Sequence, residues 1–483
     1  MTTLHLSVDR DIDVPIHRQI REGLRRAILE GRLRPGQRIP STRSLAADLG
    51  VSRLPVLSAY EQLLHEGYLV GRTGSGTFVS ESVPDDLLRP VPNARVSRNV
   101  IGARSRAGLA RPASSGWNFP VVPFQVGLPA LDLFPLAAWK KMVVRQLKAE
   151  TPDRLSYTDP AGLEELRVSI AEHLRSARAV RCEANQVLIV PASQAALRIA
   201  AAALLEPGDR VAIEEPGYFG AHRALRSGGA ELVPVPVDGE GLNVGALRRR
   251  GARIRAVYVT PSHQYPLGVT MTALRRFALL EWAAEHKAWI LEDDYDSEFR
   301  YVSRPVGALQ GIDARDRVIY IGTFSKALCP GVRLGYVVVP PELWDRFYQA
   351  RLAFDLFTPT LYQRVLAEFL SGGHFARHLR RMRSAYLERR DALLGGLTRH
   401  CGDLLTIHNS DAGLHVTALL PSGRDDQDIV ARLARRGLAA IPLSTSYIGS
   451  ASQQGLLLGF GCTTPQRLLN STAALGELLH ESA

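Results

Sequence analysis

Residues 322–336 read GTFSKALCPGVRLGY and contain one of the five lysines of this 483-residue chain. Lysine and arginine together number 59, so arginine supplies nearly all of the positive charge. A lysine retained in such a chain indicates a need for an amine, because a guanidinium stays protonated and is no nucleophile. Taken alone, Lys326 could also be a solvated loop residue. The sequence around Lys326 favours a chemical role for it.

Short apolar runs alternate with helical patterns on both sides of Lys326, from about residue 119 onward. Buried strands that alternate with helices predict a mostly parallel sheet covered on both faces. Ligands of such sheets bind at the carboxyl ends of the strands, where this chain places Ser193, Thr260, Asp293 and Lys326. The runs are QVLIVP (186–191), DRVAIEEP (209–216), IRAVYVTP (254–261), AWILEDD (288–294), RVIYIGTFSK (317–326) and RLGYVVVP (333–340).

An imine with an aldehyde cofactor is a common use of a buried lysine amine. Pyridoxal phosphate also needs a carboxylate for its pyridine nitrogen, donors for its phosphate and a group near its phenolic oxygen. EDDYDSEFRY (292–301) offers acids and a tyrosine, and SQAAL (193–197) opens a helix whose N-terminus can hold phosphate. Arg333 follows Lys326 beyond a Pro-Gly turn. Plainer interpretations stay open, since the aspartates at 293 and 294 could cap a helix and Ser193 could be only an N-cap.

The first eighty residues follow a different pattern, which predicts three short helices and a hairpin. Apolar side chains recur at intervals of four in the first helix, and glycines end each helix. The hairpin surrounds a Thr-Gly-Ser-Gly turn. The order is typical of a winged helix-turn-helix. The segments are PIHRQIREGLRRAILEG (15–31), STRSLAADLG (41–50), SRLPVLSAYEQLLHEG (52–67) and GYLVGRTGSGTFVS (67–80).

Hydroxyl residues precede the second and third of these helices. Ser41 or Thr42 is expected to cap the second helix, and Ser52 the third, because a side-chain oxygen can accept from the first free N–H groups. The third helix is expected to turn both Leu63 and Leu64 inward.

A winged helix-turn-helix places the N-terminal end of its last helix in the major groove of DNA, and Arg53 lies there. Arg43 begins the preceding helix and Arg72 lies in the wing, so both are placed for phosphates. Each arginine could instead be a solvated surface residue. The formal net charge of +11 favours a polyanionic partner. Residues 81–118 are rich in Arg, Ser, Pro and Ala and predict a linker, either a plain tether or one that touches DNA.

Composition argues against several other classes. The N-terminus lacks the basic start and apolar stretch of a signal peptide, and the longest apolar runs fall short of the ~20 residues that span a membrane. No metal site or disulfide framework is expected, and a cytoplasmic protein in a reducing environment fits these features. The four cysteines are scattered without CxxC spacing, at Cys182, Cys329, Cys401 and Cys462.

Two resemblances follow from longer motifs. LRPGQRIPSTRSLAADLGVSR, AYEQLLHEGYL and GTFV resemble the DNA-binding domain of GntR-family bacterial regulators, although Pro55 stands where that family usually has threonine, so no DNA contact is inferred there. YTDPAGLEELR, SQAAL, EEPGY, TPSHQYPLG, LEDDYDSEFRY, GTFSK and LLLGF resemble fold-type I aminotransferases. The two halves together resemble the MocR subfamily of GntR regulators.

The resemblance implies a multidomain fold class. A winged helix-turn-helix, mainly α with a β wing, would occupy residues 1–80, followed by a linker at 81–118. An α/β aminotransferase-like domain that binds pyridoxal phosphate would occupy 119–483, with a smaller C-terminal α+β subdomain at roughly 360–483. The chain would act as a homodimer on double-stranded operator DNA.

The resemblance also implies roles for individual residues. Lys326 would form the imine, Asp293 would pair with the pyridine nitrogen, and Tyr295 would bond the phenolic oxygen, with Gln264 and Tyr265 near it. Tyr218 would lie over the ring, although it could also be a core residue. Five further contacts are implied for phosphate: from Ser193, the backbone of Gln194, Thr323 and Arg333, and, in the partner's site, from Tyr157.

One residue expected in an aminotransferase is missing. Such enzymes usually place an arginine for the substrate carboxylate just before the Gly-Phe strand near the C-terminus, whereas GLLLGFGC (455–462) has leucines there. Arg223 could supply another anion clamp. Three functions stay open: a regulator that responds to the cofactor and to a small amine effector, a working aminotransferase with a regulatory head, and a sensor of pyridoxal phosphate itself. The missing arginine favours the first and third.

Overall fold

The computed structural model describes residues 6–81, 121–251, 253–301, 307–408 and 410–481. Backbone contacts divide the chain into two units, Met1–Ala103 and Arg104–Ala483, each of which has its own core. The linker predicted at 81–118 lies, apart from its first residue, outside the described residues. The domain boundaries at 80, 118 and 360 stay predictions. No helix in the described ranges is long and apolar enough to cross a membrane.

The N-terminal unit has the predicted order of three helices and a hairpin. Its strands pair antiparallel, with Arg72 opposite Gly76 across the turn. Buried side chains from all three helices, among them Ile20, Leu45 and Val56, form its core. The elements are α1 (Ile16–Leu29), α2 (Thr42–Asp48), α3 (Arg53–His65), β1 (Leu69–Arg72) and β2 (Gly76–Val79).

The ends of α2 and α3 differ in how they are capped. The Ser41 hydroxyl accepts a hydrogen bond from the Ser44 N–H at 3.1 Å, so Ser41 is the cap of α2. Ser52 precedes α3 as predicted, but its side chain makes no capping bond. The prediction for Leu64 is wrong, since this side chain is 37% exposed. The inward stripe of α3 ends one position earlier, because it consists of Val56, Ala59, Tyr60 and Leu63.

An eight-stranded sheet forms the centre of the large unit. Its strand order is β3-β10-β9-β8-β7-β4-β5-β6. Almost every residue of its central strands is buried, as the apolar runs predict. The strands are β3 (Val187–Val190), β4 (Arg210–Glu215), β5 (Glu231–Asp238), β6 (Gly241–Leu242), β7 (Ile254–Val259), β8 (Trp289–Asp294), β9 (Val318–Thr323) and β10 (Gly335–Val338).

Strand direction in this sheet is mostly parallel, as predicted. Strands β5, β4, β7, β8 and β9 run parallel to their neighbours in that series. Strand β10 runs antiparallel between β3 and β9, and β6 forms a short antiparallel edge on β5. The carboxyl ends of β4, β7, β8 and β9 therefore lie along one edge of the sheet.

Helices cover both faces of the sheet. Side chains of α6, α7 and α11 pack with one set of strand residues, while α5, α9 and the C-terminal helices pack with the alternate set. The helices are α4 (Leu136–Lys148), α5 (Glu164–Arg178), α6 (Ser193–Leu204), α7 (Phe219–Ser227), α8 (Val244–Arg249), α9 (Ala273–His286), α10 (Phe324–Ala327), α11 (Trp344–Asp355), α12 (Thr360–Ser371), α13 (His374–Cys401), α14 (Asp426–Arg435) and α15 (Pro465–Glu481).

A second sheet of four antiparallel strands lies in the C-terminal part of the chain, with the order β11-β12-β14-β13. The long helix α13 packs against α15, and both contribute to the same core as this sheet. The strands are β11 (Thr406–His408), β12 (His415–Leu419), β13 (Ile441–Pro442) and β14 (Gly455–Gly459).

Candidate functional site

A cavity of about 190 Å³ lies at the carboxyl edge of the eight-stranded sheet. Residues that follow or end its strands form much of the wall, which is where ligands of such sheets bind. Five predicted site residues line it: Ser193, Tyr218, Asp293, Tyr295 and Lys326. Four other predicted residues do not line it: Tyr157, Gln194, Thr323 and Arg333.

Lys326 lies in the short helix α10, directly after β9. Its Nζ donates a hydrogen bond to the Gly127 carbonyl at 2.6 Å. Burial lowers the pKa of Lys326, while Asp296 and Asp293 act in the opposite direction. Burial therefore favours the neutral amine, which is the form that attacks a carbonyl carbon.

The segment that brings Gly127 to Lys326 was not identified from sequence. The Phe124 carbonyl accepts from the Gly459 N–H at 2.8 Å, and the Pro123 carbonyl accepts from the Ala439 N–H at 2.9 Å. These bonds tie the segment to the C-terminal sheet. A Cβ at Gly127, where φ is +77°, would lie 2.7 Å from the lysine Nζ, so this approach requires glycine. A separation of 199 positions between the two residues left no local signal.

Asp293, the last but one residue of β8, has one carboxylate oxygen unsatisfied. Its Oδ2 accepts from the Tyr258 hydroxyl at 2.8 Å, but Oδ1 is buried without a partner among the residues that the structure describes. Burial raises the pKa of Asp293 to about 7, and the Tyr258 bond opposes that shift. A buried acceptor without a donor is destabilising. A protonated pyridine nitrogen would supply the donor, so this residue fits the pyridoxal phosphate ring.

Asp294 has a different environment from its neighbour. It lies 2.8 Å from the Arg178 guanidinium and accepts from the Tyr320 hydroxyl, and all three side chains are buried. Successive residues of a strand point to opposite faces, so only one of the two aspartates can face the cavity. That residue is Asp293, in agreement with the preference from sequence.

Tyr218 and the start of α6 adjoin each other in the cavity wall. The Tyr218 hydroxyl accepts from the Gln194 side chain at 3.3 Å, and its ring meets the Tyr265 ring edge-on at 5.4 Å between centroids. Burial raises the pKa of Tyr218 to about 12. Ser193 and Gln194 are the first residues of α6, whose free N–H groups favour an anion. The start of α6 is therefore suited to hold a phosphate.

Thr323 and Arg333 lie beside that helix start. Gly335 pairs with both Thr323 and Val190, which places the ends of β9 and β3 on either side of β10. The exposed Arg333 donates to the Pro191 carbonyl at 3.2 Å, just before α6. The Thr323 hydroxyl accepts from the Ser325 N–H at 3.2 Å. Both predicted phosphate contacts are thus close to α6, although neither lines the cavity.

Tyr295 contacts a buried His–Asp pair. Its hydroxyl is 3.0 Å from His263 Nδ1, and the same nitrogen is 3.0 Å from Asp296 Oδ1. Asp296 and His415 also line the cavity, and the imidazoles of His263 and His415 lie 5.4 Å apart. Sequence reasoning assigned no role to these three residues, because nothing local links positions so far apart in the chain.

The loop after β7 contributes Tyr265 to the cavity and keeps Gln264 out of it. The Gln264 amide donates to the backbone carbonyls of Pro216 at 2.9 Å and Tyr265 at 2.6 Å. Gln264 therefore braces the loop, and the expectation that it approaches the phenolic oxygen applies to Tyr265 alone. Beneath the loop, Glu214 accepts from both Thr260 donors, and burial raises the pKa of Glu214 to about 8.

The two residues offered as further anion-binding groups, Tyr157 and Arg223, do not line the cavity. Tyr157 is 83% exposed, as a residue that serves a partner subunit would be in a single chain. Arg223 is exposed on α7 and does not line the cavity. Leu457, the middle of the three leucines found where the sequence was expected to place an arginine, is fully buried and packs with Tyr265 and Leu267.

The predicted DNA contacts lie on the surface of the N-terminal unit. Arg53 is the first residue of α3, and its Nε donates to the Thr42 hydroxyl at 3.2 Å. Arg43 is exposed in the first turn of α2. Arg72 stacks 4.9 Å above the Phe78 ring and lies 3.5 Å from Glu81. A phosphate would therefore have to compete with that carboxylate for Arg72.

Comparisons with known proteins bear on both units. Residues 120–456 match the family of class I and II aminotransferases, and residues 16–79 match the bacterial regulatory proteins of the gntR family. The solved kynurenine aminotransferase of Pyrococcus horikoshii superposes with a TM-score of 0.71 at 27% identity, covering 79% of this chain and 98% of that one.

Two relatives extend over both units. The chain is 41% identical to the probable rhizopine catabolism regulatory protein MocR of Rhizobium meliloti, covering 96% of this chain and 93% of the relative. It is 34% identical to the HTH-type pyridoxine biosynthesis transcriptional regulator PdxR of Corynebacterium glutamicum, covering 92% of this chain and 91% of the relative. With a GntR helix-turn-helix followed by an aminotransferase-type domain, the chain belongs to the MocR-type transcriptional regulators of the GntR family.

Proposed function

We propose that this regulator binds pyridoxal phosphate through Lys326 and that occupancy of the site controls its affinity for operator DNA. The observation that carries the proposal is the buried, unpartnered Oδ1 of Asp293 in the same cavity as the lysine. When bound, pyridoxal phosphate supplies an aldehyde that condenses with primary amines. A small amine, or the cofactor itself, would be the effector.

Each of these residues would contact a different part of the cofactor. Asp293 would accept the pyridine N–H, and Tyr218 would cover one face of the ring. Tyr295 would donate to the phenolic oxygen and exchange its contact with His263 for that bond. Phosphate would lie at the start of α6, with Ser193, the Gln194 N–H, Thr323 and Arg333 as its donors.

A homodimer would complete the site and set the spacing on DNA. Leu155 and Tyr157 are 76% and 83% exposed on the large unit, as residues of an interface between two copies would be in a single chain. Tyr157 would reach the phosphate held by the partner. Two-fold symmetry would present two winged helices to two half-sites, with Arg53 near base edges and Arg43 and Arg72 on phosphates.

Successive segments of the chain would have different functions. Residues 1–80 would bind DNA, 81–118 would transmit the change as a linker, and 119–483 would bind cofactor and effector, with the smaller subdomain at roughly 360–483. Because its target is bacterial DNA, the protein would act in the cytoplasm. Turnover would be negligible, since Leu457 replaces the carboxylate-binding arginine of aminotransferases.

Cofactor binding is tested by absorbance and borohydride trapping of the full-length protein. Wild-type protein with pyridoxal phosphate should give a trapped adduct that maps to Lys326, and Lys326→Ala should abolish it. Lys287→Ala is the matched control, because Lys287 is exposed at the end of α9. An adduct that maps to another lysine would refute the assignment.

Control of DNA binding is tested separately, with the promoter next to the protein's own gene. Affinity for that DNA should differ at least severalfold between cofactor-free and cofactor-loaded protein. Steady-state transamination with several amino donors and 2-oxoglutarate should be negligible. Turnover near ordinary enzyme rates of about 10 per second, with DNA affinity indifferent to every ligand, would favour an enzyme instead.

A further inference from the structure

We infer that the amine effector of this site carries no carboxylate, sulfonate or phosphate group. The inference rests on the proposed function and narrows the chemical class of the ligand. It follows from the charges of the cavity wall, from the bonding of the arginines behind it, and from the packing around Leu457.

The cavity wall is acidic. Asp293 and Asp296 both line it, while Lys326 is the only cationic side chain among the lining residues that the structure describes. That lysine would join the cofactor at rest; once an amine displaces it, burial favours its neutral form by lowering its pKa, and its Nζ has the Gly127 carbonyl as a partner. His415 adds no cation, because burial lowers its pKa to about 4. The His263 ring is already bonded to a carboxylate of the wall, since its Nδ1 lies 3.0 Å from Asp296.

The arginines behind the wall are committed to other partners. Arg178 binds Asp294 and the Ser262 hydroxyl. Arg276 donates to three backbone carbonyls, which belong to Met271, Gly307 and Pro261. Arg300 donates to the Ser262 carbonyl and to the Thr270 hydroxyl. A ligand carboxylate could recruit one of them only if a buried polar group lost its donor, which is unfavourable.

Two other candidates for an anion site remain. Arg223 acts electrostatically on Tyr218, but it is exposed to water on α7 and does not line the cavity. Leu457 stands where the C-terminal sheet could have supplied a cation. It lies in the middle of β14, opposite Thr417 on one side and Ile441 on the other. Its side chain is fully buried in an apolar cluster with Tyr265, and both Ile441 and Tyr265 line the cavity. The wall therefore presents apolar surface where a guanidinium would be needed to bind a carboxylate.

A ligand anion in this cavity would lose its water without gaining a counter-ion, beside Asp296, because the cofactor would occupy both Asp293 and Lys326. An ammonium, a hydroxyl or an apolar group would bind more favourably than an anion. Carboxylates and tyrosine hydroxyls accept hydrogen bonds, and aromatic rings pack on apolar groups. The site is thus suited to amines with a neutral or cationic remainder.

Matched pairs of amines test the inference on full-length, cofactor-loaded protein. The probes are tyramine against tyrosine, putrescine against ornithine, and 3-aminopropanol against β-alanine. Dissociation constants come from titration of the cofactor absorbance band. The carboxylate-free member of each pair should bind about tenfold or more tightly, because a buried unpaired charge is costly. A carboxylated member that binds as well as its partner would overturn the inference, as would the failure of every carboxylate-free probe to bind.

A substitution at Leu457 provides a second test of the inference. Leu457→Arg should shift the preference within each pair about tenfold or more toward the carboxylate, because it adds a cation at the wall. Leu457→Met is the control of similar volume and should leave the preference unchanged. Should Leu457→Arg fail to fold, the wild-type pairs still decide. Absence of any trapped adduct in wild-type protein would instead refute the proposed function, so the two failures are distinguishable.

Discussion

Replacement of Asp293 by asparagine should stabilise the cofactor-free protein at alkaline pH and weaken cofactor binding. Burial raises the pKa of Asp293 from 3.8 to about 7. A folded-state pKa above the unfolded value means that the folded protein holds the proton more tightly. Stability that this group contributes is therefore present at low pH and is lost as the pH rises from about 4 to about 7.

The magnitude follows from the pKa difference. One pKa unit is worth about 1.4 kcal/mol, so the raised pKa lowers the stability by about 4 kcal/mol at pH 8 and about 2 kcal/mol at pH 5, relative to low pH. Asparagine has nearly the same shape and no charge. Asp293→Asn should therefore gain up to about 4 kcal/mol over wild type at pH 8 and clearly less at pH 5.

The assay is denaturant unfolding of the cofactor-free large unit at both pH values, followed by titration with pyridoxal phosphate. Buried Glu214, Glu292 and Glu298 also have raised pKa values, so only the difference between variant and wild type isolates Asp293. Binding should weaken in the variant, because an amide oxygen is a poorer partner than a carboxylate for a protonated pyridine nitrogen.

Asp294→Asn is the matched control, with the same substitution one residue away. It would remove the carboxylate that lies 2.8 Å from the buried Arg178 and should destabilise the protein at both pH values, by up to about 3–5 kcal/mol. The reasoning is refuted if Asp293→Asn destabilises the cofactor-free protein at pH 8, or if it binds pyridoxal phosphate as tightly as wild type does.

Three further predictions concern the amine and the N-terminal unit. Lys326→Ala should keep the fold, judged by circular dichroism, but lose the cofactor absorbance band; a retained band would contradict its role. Arg53→Ala should cost about 1–3 kcal/mol on operator DNA and relax specificity at one position, whereas Arg72→Ala should weaken all sequences alike and lower the salt dependence. Equal losses for Arg53→Ala on operator and random DNA would remove it from base reading. Ser41→Ala should destabilise the N-terminal unit by about 1 kcal/mol, while Ser52→Ala, which loses no side-chain cap bond, should cost only a few tenths; equal midpoints for the two in thermal unfolding would contradict this.

Six of the eight strands of the large sheet could be predicted from sequence, but β5, β6 and some strand directions could not. The run RLGYVVVP is equally apolar in either direction, so its composition gave no sign that β10 is antiparallel. The connection from Thr323 to Gly335 did contain that information. A parallel neighbour needs a crossover of a dozen or more residues, usually with a helix of normal length, whereas this connection holds only the four-residue α10 and a 3-10 turn at Pro330–Val332.

The site was predictable where its chemistry is local and not where distant segments meet. Lys326 and Asp293 stood out because each follows a buried apolar run that ends at the ligand-binding edge. Strand alternation required the aspartates at 293 and 294 to differ, but only the position of Arg178 shows which one faces inward. Gly127 and His415 reach the cavity through the C-terminal sheet, and no spacing in the sequence encodes that contact.

Leucine at position 457 matters because a ligand-controlled switch needs much less free energy than an enzyme does. A tenfold change in DNA affinity needs only about 1.4 kcal/mol of preference for one arrangement of the protein. Catalysis at ordinary rates needs about 8 kcal/mol or more of transition-state stabilisation, with the substrate carboxylate held so that the freed lysine can move its proton. This chain offers a lysine amine, an unpartnered aspartate oxygen and a helix start suited to an anion, and it packs leucine near the end of the second sheet. On the proposed function, that set is sufficient for the switch and lacks the carboxylate clamp that the enzyme needs.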